Sequence, residues 1–455
     1  MNPDRSRVKV RVKTTVDVAP FREIATELRG CWMFILVPVL LVALSQIARS
    51  QTEKVLYSFC STTSCADGSY PASNLIPDVS GNFYGTTTSG GNFTANCPST
   101  GCGTLFEVSK TGAETILYKF SGIPGGAFPS GNLVQDADGN FYGTTQAGGN
   151  TSGACPSIGC GTVFELIKSG DTYTEKVLYA FSAATATDPD GTQPALGVVR
   201  DDNGNLYGTL SGLPPPNCAA SAVGCGLVFK ITSAGEEEVL YRFEGKGDGA
   251  YPQAPLVLDS KGNLYGTTAN GGSFAGPCAT YGCGTLFRIT PAGKEEMLYR
   301  FKGLPDGRMP MGPVVLGSNG SLFGTTWTGG DTTNIRCSIQ ASGCGVVFEW
   351  KPSGGMSVFY SFKGGLKDGQ SPIAGLLLDS HGGLFGTTSA GGSYGRGTVF
   401  KVASTGVETV LHSFKGVPDG FSSRSSPLLD VAGNLYGTTI YGGANDDGTL
   451  FRVTP

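Results

Sequence analysis

Acids in Asp-Gly pairs and flat aromatic side chains are the residues of this sequence that could act together on a ligand. Asp306, Asp368 and Asp419 each precede a glycine, as do Asp67, Asp190 and Asp248. Trp327 stands at a position where six comparable stretches carry Thr88, Gln146, Ser211, Ala269, Ser389 and Ile440. Tyr394 and Tyr441 lie in the two shortest stretches of the same kind. Carboxylates accept hydroxyl hydrogen bonds and flat rings offer apolar faces, a pairing suited to sugars. Two acids at a suitable separation could also hydrolyse a glycosidic bond. Asp-Gly is equally ordinary turn chemistry, since Asp bonds the backbone ahead and Gly takes positive φ.

Cysteine and histidine restrict the chemistry further. Twelve of the 13 cysteines come as close neighbours: Cys60 and Cys65, Cys97 and Cys102, Cys155 and Cys160, Cys218 and Cys225, Cys278 and Cys283, Cys337 and Cys344. An even set in an exported chain reads as local disulfides. The rival reading is metal binding, but the spacing is C-x4-C or C-x6-C, and only two histidines exist to complete such sites. His381 sits in the turn DSHGG and His412 replaces a tyrosine in a strand, so neither is expected near the long loops. A Ser-His-Asp triad or a histidine-based metal site there would be hard to build. No metal and no cofactor is expected, and the glycine pairs lead into strands rather than helices, unlike nucleotide-binding loops.

The elements that must position these residues recur seven times. GNLYGTT occurs at Gly262–Thr268 and Gly433–Thr439, with variants at Gly81, Gly139, Gly204, Gly320 and Gly382. An apolar run precedes each copy, ending in Asp except at Gly317. A glycine-rich loop follows, then a GTLF-like run, then a VLYSF-like run such as Val239–Phe243. The glycine of YGT falls at 85, 143, 208, 266, 324, 386 and 437, a period of 51 to 65 residues. Four short strands per period, here named A (LVLD), B (NLYGTT), C (GTLF) and D (VLYSF), predict an all-β fold: a seven-bladed β-propeller of four-stranded antiparallel blades. The first D strand precedes every A strand and the last repeat ends on C, so the N-terminal strand is expected to complete the C-terminal blade. The glycine inside strand B marks close approach by a neighbour, and an aromatic of the next blade is the expected occupant. Trp350 replaces small aliphatics of strand C and is expected in the core. The B–C and D–A loops share one face. The B–C loops are long in repeats one to five and short in six and seven, which makes this the expected binding face.

These repeats, through GNLYGTT, GG, GTVF and VLYSF, resemble the GloVer (Gloeo/Verruco) tandem-repeat family of exported bacterial proteins, over about residues 53–454. The resemblance implies export, often with a C-terminal sorting anchor; this sequence stops at FRVTP, which argues against anchoring by such a tail. It implies no catalytic residue.

Residues 1–48 differ from the rest, with seven basic residues ahead of the apolar run Cys31–Leu44. That run suits a signal peptide with a basic n-region, or an uncleaved anchor, better than a full membrane span. Residues 49–455 then form the repeat domain, with 25 basic and 32 acidic residues, net about −7. No basic stripe survives to hold nucleic acid. The expected protein is an exported monomer, secreted, periplasmic or tethered only by its N-terminal segment. Its expected function is a binding module for a polysaccharide or surface glycan. A carbohydrate hydrolase or lyase and a protein-interaction scaffold are the alternatives.

Overall fold

A computed structural model describes residues 52–455 apart from 152–154, 156, 183–190, 213–217, 219–223, 334–336 and 338–342. The expected signal segment and Asp190 lie outside the described residues. The protein is all-β, and short 3-10 turns at Thr63–Cys65 and Gly276–Cys278 are its named helical segments. Among the described residues no helix is long and apolar enough to cross a membrane.

Each repeat builds an antiparallel A–B–C–D sheet. The fourth shows the pattern: Val257–Leu258, Leu264–Thr268, Thr285–Ile289 and Glu295–Arg300 pair in that order. The A–B turn follows from its side chains. Asp259 accepts the backbone N–H groups of Lys261 (2.9 Å) and Asn263 (2.8 Å), the Asn263 side-chain amide (2.8 Å) and the Tyr265 hydroxyl (3.1 Å). Burial opposes its charge, but these donors together hold its pKa below the usual value. The GTT and GT threonines are also matched: Thr268 and Thr285 share a buried hydroxyl bond at 2.7 Å.

Strand B is buried on both faces, and its glycine is filled differently from expectation. The ring edge of Phe287, the cross-strand partner in strand C of the same repeat, occupies the space beside Gly266. Alternation names the face a residue points to, while the cross-strand partner is its nearest neighbour there. The inter-repeat contact is one step removed. The strand D phenylalanine of the preceding repeat packs on that strand C ring, as Phe243 does on Phe287 at 5.1 Å. Trp350 is half-buried and packs against the cluster that holds Leu286, Phe301 and Phe348.

Adjacent units are stitched by a repeated hydrogen bond. The residue before the strand A proline donates its N–H to a carbonyl just ahead of the GT of the preceding unit: Phe128 to Cys102, Gln193 to Cys160, Tyr251 to Cys225, Met309 to Cys283, Ser371 to Cys344. Ser422 bonds Arg396 in the same way, and Tyr70 bonds Asp447, linking first unit to seventh. The strand Thr52–Ser58 pairs antiparallel with Thr449–Thr454. Units two and three share one eight-stranded sheet through a parallel bridge, Gly197 to Asn132. Leu196 there replaces the small residues Ser73, Ala254, Gly312, Ala374 and Ser425 of other units, and its backbone fills the space a side chain on Gly131 would need.

Candidate binding cavity

The seven donors of the stitching bond share a feature that residue type does not announce. Tyr70, Phe128, Gln193, Tyr251, Met309, Ser371 and Ser422 all have φ between 55° and 61°. Non-glycine residues are uncommon in this left-handed region, and seven in equivalent places mark a built constraint. Tyr70, Phe128, Gln193 and Tyr251 line a cavity of about 650 Å³. Residues from all seven units contribute to its wall. Gln146, Gln253, Met311, Ile373, Arg424 and Tyr441 also line it.

Tyr70 and Tyr441, from units one and seven, line the cavity, and other aromatic contacts back them. Tyr70 meets Tyr441 edge to face at 5.7 Å. Tyr441 stacks on Phe421 at 5.1 Å with the planes 24° apart. The Arg396 guanidinium lies over the Phe421 ring at 4.6 Å. Burial, then the Asp447 charge, push the Tyr70 hydroxyl pKa up, and burial does the same to Tyr251. Both hydroxyls therefore stay neutral donors. Glutamine amides and Arg424 add N–H donors to the wall. Arg424 is the only charged residue among the described lining residues, and none of these is an acid.

The structure separates the residues singled out by sequence. Tyr441 is in the cavity wall. Trp327 and Tyr394 are exposed but outside its lining. Trp327 holds the B–C position that Thr88, Gln146, Ser211 and Ile440 use to line the wall, and its N–H bonds the Met309 carbonyl at 3.0 Å. Lys415 lies 5.9 Å from the Tyr394 ring. The three acids are buried and already bonded. Asp306 accepts the Tyr299 hydroxyl and the Lys302 N–H. Asp368 accepts the Tyr360 hydroxyl at 2.9 Å and the Lys363 N–H at 2.6 Å. Asp419 accepts the Lys415 N–H at 2.9 Å and sits 3.0 Å from His412 Nε2. His412, expected away from the loops, thus reaches a D–A loop through its ring. The loop entering the second repeat shows how specific the arrangement is. Gly125 stands where an Asp is found in other units, and Glu175 enters the space to accept Tyr118 at 3.1 Å and the Gly126 N–H at 2.8 Å.

Sequence reasoning missed Tyr70, Phe128, Gln193 and Tyr251. The available signal was the variable residue held between a fixed glycine and a fixed proline, as in DGSYP and DGAYP.

All six neighbouring cysteine pairs form disulfides: Cys60–Cys65, Cys97–Cys102, Cys155–Cys160, Cys218–Cys225, Cys278–Cys283 and Cys337–Cys344. In the last five, the second cysteine supplies the carbonyl that the next unit bonds. The set fits an exported protein.

The Gloeobacter/Verrucomicrobia repeat model matches residues 43–276, 157–338 and 277–455. No curated protein matches the sequence. Among solved structures, the extracellular domain of a hybrid two-component system of B. thetaiotaomicron aligns with TM-score 0.52 and 11% identity, over 88% of this chain and 39% of that one. This chain therefore spans about two fifths of that relative. PorZ, a surface component of the type-IX secretion system of Porphyromonas gingivalis, aligns with TM-score 0.46 and 13% identity, over 84% and 46%. A luciferin-regenerating enzyme aligns with TM-score 0.40 and 11% identity, over 89% and 95%. The first of these shows a propeller-like fold and nothing of activity.

Proposed function

This chain belongs to the Gloeobacter/Verrucomicrobia repeat family, and on that premise we propose that it is an exported, closed seven-bladed β-propeller that binds a polysaccharide or surface glycan. Closure is supported by the pairing of Thr52–Ser58 with Thr449–Thr454, by the Tyr70 to Asp447 bond, and by the Ser426 N–H to Asn74 bond at 2.7 Å. Residues 49–455 form the propeller, and 1–48 form the export segment.

The observation that carries the binding reading is the cavity wall itself: Tyr70, Phe128, Tyr251 and Tyr441 as apolar faces, with glutamine amides and Arg424 among them. Stacking rings beside fixed N–H donors suit a sugar, whose ring has an apolar C–H face and a rim of hydroxyls. Asp306, Asp368 and Asp419 fix their D–A loops through bonds to strand D side chains and backbone N–H groups. A two-acid hydrolase gains no support here, because these acids are bonded to tyrosine, histidine and backbone groups. The protein is a monomer in this reading and has no nucleic-acid partner.

A glycan array with parallel assays for product release tests the proposal. Binding without turnover is expected, abolished by Tyr441→Ala and weakened by Trp327→Ala. Product release would favour the hydrolase, and a silent array would favour a protein-binding scaffold.

A further inference from the structure

Strand D carries a tyrosine one residue before its last in six units: Tyr57, Tyr118, Tyr179, Tyr241, Tyr299 and Tyr360. Tyr57, Tyr118, Tyr241, Tyr299 and Tyr360 each donate the hydroxyl to a carboxylate, as Tyr57 does to Asp67 at 2.6 Å. The remaining unit has His412, one of only two histidines in the chain. Its substitution changes the chemistry. A tyrosine can only present a hydroxyl to the acid, whereas a neutral imidazole presents a nitrogen lone pair, a preferred ligand for borderline-soft cations.

The surroundings of His412 complete a ligand set. Asp419 Oδ2 lies 3.0 Å from His412 Nε2. Glu53 reaches the same point from the strand Thr52–Ser58, and the three ligand atoms lie within 4.8 Å of one another. The Glu53 Oε1 atom is buried and unpartnered. Asp419 is 8% exposed. When ionised, the two carboxylates bring two negative charges to a cation held between them, and Lys415 lies near them. Ligand atoms of a tetrahedral zinc site with bonds of about 2.0–2.2 Å sit roughly 3.3–3.5 Å apart. The His412–Asp419 separation of 3.0 Å is close to that value, and no pair exceeds 4.8 Å.

We propose that Glu53, His412 and Asp419 form a divalent transition-metal site that takes Zn²⁺, with a fourth position open to water. Glu53 lies on the N-terminal strand of the seventh sheet, while His412 and Asp419 belong to the sixth repeat and the loop that leaves it. The ion therefore clamps that strand to its neighbour. The site shares Asp419 with the glycan reading, but its test reads metal binding and does not depend on a glycan.

The test uses the full chain without an affinity tag, freed of metal by chelation and titrated with Zn²⁺ by calorimetry. One ion per chain is expected. His412→Tyr restores the residue found in the six other units, so the metal-free melting temperature should hold while zinc binding disappears. Glu53→Gln should weaken binding at least about tenfold, which is about 1.4 kcal/mol. In NMR of the parent chain, zinc should shift one imidazole signal, that of His412, and leave exposed His381 unmoved. Absence of stoichiometric zinc binding, equal binding by His412→Tyr, or two unmoved imidazole signals would each overturn the site.

Discussion

A Cβ built on Gly266 would lie 2.5 Å from Cζ of Phe287 and 2.8 Å from Cδ2 of Leu256. The same strand B glycine meets the same strand C phenylalanine in every repeat, down to Gly437 and Phe451. Each phenylalanine then receives a strand D ring from the preceding unit, so its position sets the spacing between units.

Gly266→Ala should therefore overpack a buried ring and cost about 1–3 kcal/mol. Combining it with Phe287→Leu should recover part of that loss, because the two sites are in contact and couple. Urea unfolding of the single and double variants measures this. Additive losses would mean the glycine serves something other than the Phe287 ring.

The disulfides should matter more for shape than for global stability. Cys97–Cys102 closes a loop of six residues, for which loop entropy gives about 2 kcal/mol. Replacing both with alanine should cost no more than that, since the Cys102 carbonyl that accepts the Phe128 N–H is backbone and survives. Chemical denaturation of the double variant checks the value. Peptide mass mapping under non-reducing conditions should recover the six local pairs.

Stability should fall as pH rises above the ordinary carboxylate range. Burial first, then the charge of Asp368, push Glu408 up to about 8, with Lys363 opposing. Burial and then Asp67 push Glu114 up to about 7. A carboxyl with a raised folded pKa binds a proton that the unfolded chain has lost. Its contribution is complete below the unfolded value and is lost as pH rises through the folded one. Asp259 and its equivalents Asp136, Asp201 and Asp430 have lowered values and act oppositely, losing their contribution only under stronger acid. Glu408→Gln mimics the protonated acid and removes the charge that Asp368 opposes. It should gain about 1 kcal/mol near pH 8.5, after discounting for partial solvent exposure, and little near pH 5. Urea midpoints at both pH values read this out. An unchanged pH profile in Glu408→Gln would remove this pair as its source.

The fold was legible because its grammar is local. Asp259, Gly262 and Asn263 specify a turn within five residues, and that turn recurs in most repeats. The cysteine pairs were legible for the same reason. The cavity was not. Left-handed φ at Tyr70 or Phe128 is imposed by the bond to the preceding unit, which residue type does not encode. Asp306 and Asp368 were ambiguous because Asp-Gly serves turn and ligand alike, and only the tyrosine seven or eight residues upstream decides. Phe287 filling its own unit's glycine was hidden because alternation names a face without naming its occupant.

Removing the first strand is the sharpest test of closure. Thr52–Ser58 pairs with Thr449–Thr454 over its length. Leu56 and Phe59 are buried in a cluster that joins Phe83 and Phe106 of the first repeat to Tyr436 and Leu450 of the last. The Phe59 and Phe106 rings are 4.9 Å apart. Deleting residues 49–60 would expose the edge of Thr449–Thr454 and empty that cluster, at about 2–5 kcal/mol per large side chain. That approaches the whole margin of about 5–15 kcal/mol by which domains are stable. A chain cut before residue 49 should be a soluble monomer, whereas one cut after residue 60 should aggregate or unfold. Light scattering and thermal melts of the two truncations decide it. A monomer with unchanged melting after the longer cut would rule out a ring sealed by this strand and leave an open array of sheets in its place.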